Sequence, residues 1–527
     1  MLTRKKKWFL GAGVAIAVAT LTIFALASLF ATRFDPYIRR EAINYLSKRF
    51  ESEVEIGKLR VDIPSVPFLK LFWTRGRGVI AEVTGEDVLM RHKGRRDVPA
   101  MFKMKRFRFE VDLGRLFEPR KRVSAIRIEE MEIQVPPKGE RPSLGSGNKQ
   151  ERGGGGTVST ILIERVVVNN SRLVILPADK TRKPLEFELH HVVLDSVGLN
   201  EPLKYRAKLT NARPPGIIEA NGSFGPWNAD TPSDTALDGN YTFNNADLGV
   251  FSGIEGTLNA QGSFKGSLGA VETKGEADVP NFKLKSAGNP MPLHTEFEAL
   301  VDGTDGDTVL KPVHAMLGST AFTTSGAILK HEAEKQRSID LDVLMPDGEM
   351  MDLLKLAMSA KPFMSGRIQM TAKIHIPPLH ASVSDKLILD GKFHIKRGQF
   401  LQEVVQGKVD TLSRRGQGQP KNESIDNVFS DMAGDFHLEN QNITFKSLTF
   451  GVPGSKVDLT GQYNIASDVL DFKGALKLDA HVSQTMTGWK RWVLKIADPF
   501  FAKNGAGTFL KIKITGSSKD PQFGAGL

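Results

Sequence analysis

The chain of 527 residues contains no cysteine, and only five tryptophans and five tyrosines. Without cysteine there is no disulfide framework, no thiolate metal site and no cysteine nucleophile. There is no Gly-x-Ser-x-Gly elbow, and the glycine string from Gly153 to Gly156 lacks the following Lys-Ser/Thr of a phosphate-binding loop. The histidines show no metal spacing: His190 and His191 are adjacent and face opposite ways on a strand, and His375 and His380 flank a Pro-Pro pair. The acidic run from Asp302 to Asp307 lacks the ligand order and closing glutamate of a calcium loop and reads as a turn. Carboxylates are otherwise scattered singly. No catalytic residue, metal or cofactor is expected, although two carboxylates distant in sequence can still meet on a β scaffold.

Charge is unevenly placed. The net +11 divides into +4 from Arg4, Lys5, Lys6 and Lys7 and +9 from residues 91 to 127, leaving −2 for the rest. Trp8 to Phe30 is a run of 23 residues without charge. At about 1.5 Å per residue it reaches roughly 34 Å, enough to cross a hydrocarbon core of about 30 Å. A cleavable signal peptide ending at Ala25-Leu26-Ala27 is the competing reading, but its apolar core is usually only about 7 to 15 residues. An uncleaved anchor is expected, with the basic N-terminus in the cytoplasm and the bulk of the chain in the periplasm. That placement removes nucleic acid as a partner. After the span, Asp35 and Pro36 can open an amphipathic helix carrying Ile38, Ala42, Leu46 and Phe50 on one face, to pack on the first sheet or rest on the membrane.

From residue 53 the dominant period is two. Val54 and Ile56 alternate, Gly57 permits a bulge, and Leu59, Val61 and Ile63 resume on the other parity. Phe107 to Leu113 alternates apolar with charged residues, predicting an antiparallel sheet with one wet and one dry face. The segment Val123 to Glu129 returns 35 residues later as Val158 to Glu164. Glycines such as Gly222, Gly262, Gly326, Gly391, Gly434, Gly461 and Gly474 precede an aromatic or aliphatic residue by two and read as strand openers. Helices are predicted over Asp347 to Met358 and, as a short turn, within Phe400 to Leu412 before Ser413-Arg414-Arg415-Gly416. The expected organisation is a tail and anchor over 1–31, a helix and β unit over 32–135, a Pro/Gly/Ser-rich linker over 136–157, a repetitive β body over 158–345 and a C-terminal β region with short helices over 346–527.

The alternation alone serves a closed β-sandwich or an open groove, because either way the dry face must be covered. The basic stretch reads as a solvated strand face, with Arg91, Lys93, Arg95, Arg96, Lys103 and Lys105 as a candidate patch for anionic lipid head groups.

Several segments carry a family likeness: the basic start and single span with Phe34-Asp35-Pro36-Tyr37-Ile38; Leu389 to Ile395 followed by Val409 to Gly418; and Asp498-Pro499-Phe500-Phe501 with Ile512 to Gly516 and Asp520 to Gly524. In this order they resemble the AsmA-like family of inner-membrane-anchored periplasmic proteins, relatives of the TamB-type bridge-like lipid transfer proteins. The resemblance covers residues 1–63 and 240–527 and implies a mainly β fold. It would have one N-terminal transmembrane helix, then a long twisted antiparallel sheet curled into an apolar groove, with few short helices. The implied role is non-catalytic: binding and moving phospholipid, or supporting outer-membrane assembly. Phe107, Phe109, Val111, Leu113, Phe187 and Leu189 are then candidates to line the groove against acyl chains. The rival readings are an assembly factor for outer-membrane β-barrel proteins, working through strand edges, and a periplasmic hydrolase of an envelope polymer.

Overall fold

The computed structural model describes part of a helix within 39–47. Apart from single and paired positions it also describes residues 52–62, 77–112, 120–137, 160–177, 183–197, 201–285, 288–330, 337–378, 383–481 and 507–525. The expected span over 8–30, with Lys93 and Leu113, lies outside these residues; among the described residues no helix is long and apolar enough to cross a membrane. The fold is mainly β, with 24 strands among the described residues. The chain divides into two units, Met1–Arg213 with Ile217–Tyr241 and Pro214–Gly216 with Thr242–Leu527.

The first unit holds β1 (Ser52–Asp62), β2 (Ile80–His92), β3 (Phe102–Asp112), β4 (Arg120–Val135), β5 (Thr160–Ile175), β6 (Leu185–Val197), β7 (Leu203–Thr210), β8 (Ile217–Phe224) and the first half of β9 (Ala236–Asp247). From β1 to β8 each strand pairs with the next. One pair departs from the antiparallel expectation: β4 and β5 run parallel. A parallel pair needs a crossover of a dozen or more residues. Residues 136–159 are long enough, since even the sixteen residues of β4 span only about 50 Å at roughly 3.3 Å each. The repeat seen in the sequence is 35 residues apart, whereas Arg120 aligns with Thr160, an offset of 40. The repeat therefore does not set the register.

A row of six residues sets it instead. Gly57, Asp87, Lys105, Glu130, Asn170 and His190 stand opposite one another across β1 to β6. Asp87, Glu130 and Asn170 have φ of 53°, 52° and 47°. At this row every strand switches parity, so Val54 and Ile56 share a face with Leu59 and Val61, as expected. Met104 likewise packs with Phe107. A one-residue slip in any strand would turn its apolar side chains to water, so the switches must coincide. The row ends where β6 carries one extra residue, His190, against β7. Near the N-terminus, helical Ile43 and Leu46 pack on Val54, Ile56, Val88 and Met90, and the Arg39 guanidinium donates to the Ile56 carbonyl.

The second unit continues β9 and holds β10 (Ile254–Glu255), β11 (Thr257–Ser267), β12 (Ala270–Leu284), β13 (Met291–Val301), β14 (Thr308–Leu317), β15 (Thr320–Lys330), β16 (Arg337–Glu349), β17 (Met364–Ile376), β18 (Ile388–Phe400), β19 (Ser430–Glu439), β20 (Asn442–Val452), β21 (Ser455–Asn464), β22 (Val469–Leu478), β23 (Thr508–Gly516) and β24 (Pro521–Ala525). From β11 to β24 each strand again pairs antiparallel with the next. Helices occupy Met350–Ala357 and Glu403–Gly416. The second runs past the expected Leu412, because Gln406, Asp410 and Ser413 point inward and bond the surrounding loops. The glycines do not open strands, contrary to expectation: Gly391, Gly434 and Gly461 lie inside β18, β19 and β21.

The left-handed backbone at Asn170 gives a first test. Such a conformation costs a residue with a Cβ about 1 to 2 kcal/mol, least for Asn. Asn170→Val is expected to lower unfolding free energy by that amount and Asn170→Gly to leave it unchanged or higher, read by urea denaturation.

Candidate functional site

In the first unit the structure brings five of the six proposed lining residues onto one sheet face; the sixth, Leu113, is outside the described residues. Phe109 and Phe107 on β3 stack with ring centroids 6.0 Å apart. They stand opposite Val83 and Gly85 on one side and Ile126 and Ile128 on the other, and Val111 stands opposite Ala81. Phe187 and Leu189 extend this face on β6, opposite Leu173 and Ser171. Burial is graded: Ala81, Val83 and Val111 are buried, whereas Phe107, Phe109, Phe187 and Leu189 are half-buried. Tyr205 continues the face on β7, and burial, helped by Asp238, pushes its hydroxyl up to about 12.

The other face of this unit is charged and internally paired. Arg108 meets Glu82 at 2.7 Å, Arg165 meets Asp195 at 2.6 Å and Lys208 meets Glu219 at 2.8 Å. Of the candidate head-group residues, Arg91 lies near the end of β2, Arg95 and Arg96 follow in the β2–β3 connection, and Lys103 and Lys105 are exposed on β3. Arg96 pairs with Glu53 at 3.5 Å and Lys105 with Glu130 at 2.7 Å. Such exposed pairs contribute little to stability, but they keep this face wet.

The second unit repeats the division more completely. Across β16 to β23 the register stacks four rows of eight positions on one face, and none of the residues is charged. The rows begin at Leu341, Val343, Met345 and Gly348 on β16 and end at Gly516, Ile514, Ile512 and Leu510 on β23. Two glycines of this face, Gly391 and Gly461, sit against rings of the next strand. A Cβ on Gly391 would stand 2.5 Å from the Phe436 ring, and one on Gly461 2.8 Å from the Phe472 ring. The Gly-x-aromatic spacing thus marks two positions of one face, and the residue that fills each glycine's space comes from a neighbouring strand. Two-residue spacing was the available signal; the partner was not readable from it.

On the opposite face acids and bases alternate strand by strand: Asp342, Lys373, Asp390 and His437 stand in one row from β16 to β19. Lys373 is 3.6 Å from Asp342, and His437 Nδ1 is 2.8 Å from Asp390. A concavity of about 640 Å³ on this side is lined by Asp342, Lys373, Asp390, Lys392, Asp435 and Lys446, among others. Lys392 and Asp435 pair there at 3.8 Å. His294 and His375 repeat the cross-strand motif with Asp278 and Asp340 at 2.7 and 2.6 Å. Among the described residues no group of three or more metal-binding side chains converges.

Two buried carboxylates fasten the helices. Asp352 accepts bonds from the Ser319 N–H at 2.9 Å and from the Ser319 and Thr320 hydroxyls at 2.7 and 3.0 Å. Asp410 accepts bonds from the Val428 and Asn427 N–H groups at 3.0 and 3.1 Å and from the Gln406 amide at 2.9 Å. Burial pushes both carboxyls up, but these donors outweigh it and hold both below the usual range. Their stabilising effect is structural.

Comparison with family models, with curated proteins and with solved structures returns no match for this chain.

Two outcomes follow from this geometry. Gly391→Leu forces a side chain into the Phe436 ring and should cost about 1 to 3 kcal/mol of stability, read by urea denaturation. Stability should also fall on both sides of neutrality. The depressed Asp352 and Asp410 stabilise above about pH 4, and this is lost as pH falls through their folded values. His294 and His437 are raised by hydrogen bonds to Asp278 and Asp390, so their contribution is present below about pH 6.5 and lost as pH rises through their folded values. The double variant His294→Asn, His437→Asn should flatten the alkaline limb of urea midpoint against pH and leave the acid limb unchanged.

Proposed function

We propose that the protein is a non-catalytic lipid carrier of the AsmA-like kind, whose sheets curl into a groove that shelters phospholipid acyl chains. The observation that carries this reading is the uncharged face of β16 to β23, four positions deep on every strand, with Leu341, Ile374, Leu389 and Leu438 only partly buried. Fully covering a Leu- or Phe-sized side chain is worth about 1.5 to 3 kcal/mol, so a face of this extent binds any chain of methylenes that can lie along it. The partly buried Phe107, Phe109, Phe187 and Leu189 supply the same chemistry in the first unit. On this reading residues 8–30 anchor the chain in the bacterial inner membrane, the β units lie in the periplasm, and lipid moves toward or supports assembly of the outer membrane. No residue is assigned a catalytic role, and no cofactor is required.

The test is the lipid itself. Mass spectrometry of organic extracts from the detergent-purified chain should find phospholipid. Phe436→Asp with Phe445→Asp, and separately Phe107→Asp with Phe109→Asp, should each deplete it while circular dichroism keeps its strand signal. An uncompensated charge inside an apolar site costs several kcal/mol, enough to expel a bound chain. Undiminished lipid in both folded variants would count against the groove, and capture of a β-barrel partner without lipid would favour an assembly factor.

A further inference from the structure

The two ends of the apolar face in the second unit are built differently. At one end the strands are joined by the tight turns Asn440-Gln441 and 465–468 and by a longer connection over 377–387 that holds one helical turn, Val383–Lys386. At the other end stand the Met350–Ala357 and Glu403–Gly416 helices. The first is fixed by Asp352 and by the Asn289 amide, which donates to the Met358 carbonyl at 3.1 Å. The second is fixed by the Ser413 hydroxyl donating to the Pro453 carbonyl at 2.8 Å and the Ser455 hydroxyl donating to the Leu412 carbonyl at 3.0 Å.

On β16 to β18 burial follows this asymmetry. Near the helices Met345, Ile368 and Ile395 are 3 to 4% exposed and pack with Leu354. Toward the turns Leu341, Ile374 and Leu389 are only partly buried. Six of the chain's fifteen methionines, at 345, 350, 358, 364, 370 and 432, gather at the helix end. Methionine is the adaptable side chain of apolar sites, suited to receiving chain ends of unequal length. The turn end is polar and of mixed charge: Asn440, Gln441, Asn464 and Ser467 stand there with Glu439, Asp468, Asp385 and Lys386, and the Gln441 amide donates to Asp385 at 2.7 Å. Four positions on alternate residues span about 20 Å along a strand. One leaflet of a bilayer core, half of about 30 Å, is shorter than that.

We propose that a diacyl phospholipid lies along the strands of β16 to β23 with its methyl ends against the methionine cluster under the helices and its head group at the turn end. This rests on the lipid-carrier reading and adds to it a closed end and a mouth. The turn end is then the side from which lipid enters and leaves, and the helices are a floor that sets how deep a tail can reach.

The experiment uses the unmodified full chain in mild detergent, loaded with phosphatidylglycerol carrying a photoreactive diazirine either at the tail terminus or on the head group. Adducts are mapped by peptide mass spectrometry after irradiation. The tail-terminal reagent should label peptides holding Met345, Met370 and Met432, and the head-group reagent those holding Asn440, Gln441 and Ser467. The ratio of helix-end to turn-end adducts should differ between the two reagents by about tenfold or more, the ratio that roughly 1.4 kcal/mol of positional preference gives. Reversed labelling, or the same ratio with both reagents, overturns the orientation while leaving the groove standing. No labelling by either reagent overturns the groove and the orientation together.

Discussion

A strand that alternates apolar and charged residues makes a sheet whose two faces cannot both be wet, and everything else in this protein answers to that constraint. Phe107-Arg108-Phe109-Glu110-Val111 is the plainest instance: the rings go one way, and Arg108 goes the other to meet Glu82. Once one face has lost its charges across many strands, the remaining question is what lies over it. In the second unit part of the answer is internal, since Leu353 and Leu354 of the Met350–Ala357 helix cover the methionine-rich end. The rest of that face is less completely buried than a packed core, and on the lipid-carrier reading that remainder is where a ligand gains most from binding.

Keeping one face apolar over many strands demands coincidence between chain segments far apart in sequence. The row from Gly57 to His190 provides it in the first unit, where each of six strands reverses parity at the same level. Aspartate, glutamate and asparagine occupy the left-handed positions of this row, at the modest cost that short or polar side chains bear there. The glycine and ring pairs are a second coincidence: Gly391 against Phe436 and Gly461 against Phe472 keep the face level by seating a large group over an empty one. A level face is what an extended chain of methylenes can lie against.

Much of this was legible in the sequence, and the part that was not has a common cause. Period two, the parity change at Gly57, the helix near Asp347 and the shared face of Phe107 and Phe109 are local, and each could be read within a dozen residues. The parallel pairing of β4 and β5 was not, because the visible repeat of Val123 to Glu129 suggested an offset of 35 while face matching across Glu130 and Asn170 imposed 40. The end of the Glu403–Gly416 helix was missed because Ser413, a weak helix former, is held inward by the Pro453 carbonyl forty residues on. Glycines inside strands look like strand openers in the sequence because what crowds each one, a ring at Gly391 and backbone at Gly326 and Gly474, lies on another strand. Of the candidate site, side-chain faces could be assigned from sequence; which strand ends meet the helices could not, since that depends on contacts between segments far apart in the chain.

The charged face makes the open one tolerable. An exposed apolar sheet ordinarily invites association with another copy. Here the opposite side alternates acid and base from Asp342 through Lys373 and Asp390 to His437, so it carries many charges and little net charge. Such a face is strongly hydrated yet presents no single sign to attract a charged partner, which confines stickiness to the uncharged side. On the lipid-carrier reading, selection on that side rests on chemistry: a molecule apolar over one leaflet's length matches the four uncharged positions of each strand, whereas a protein surface, whose charges recur every few residues, matches them poorly.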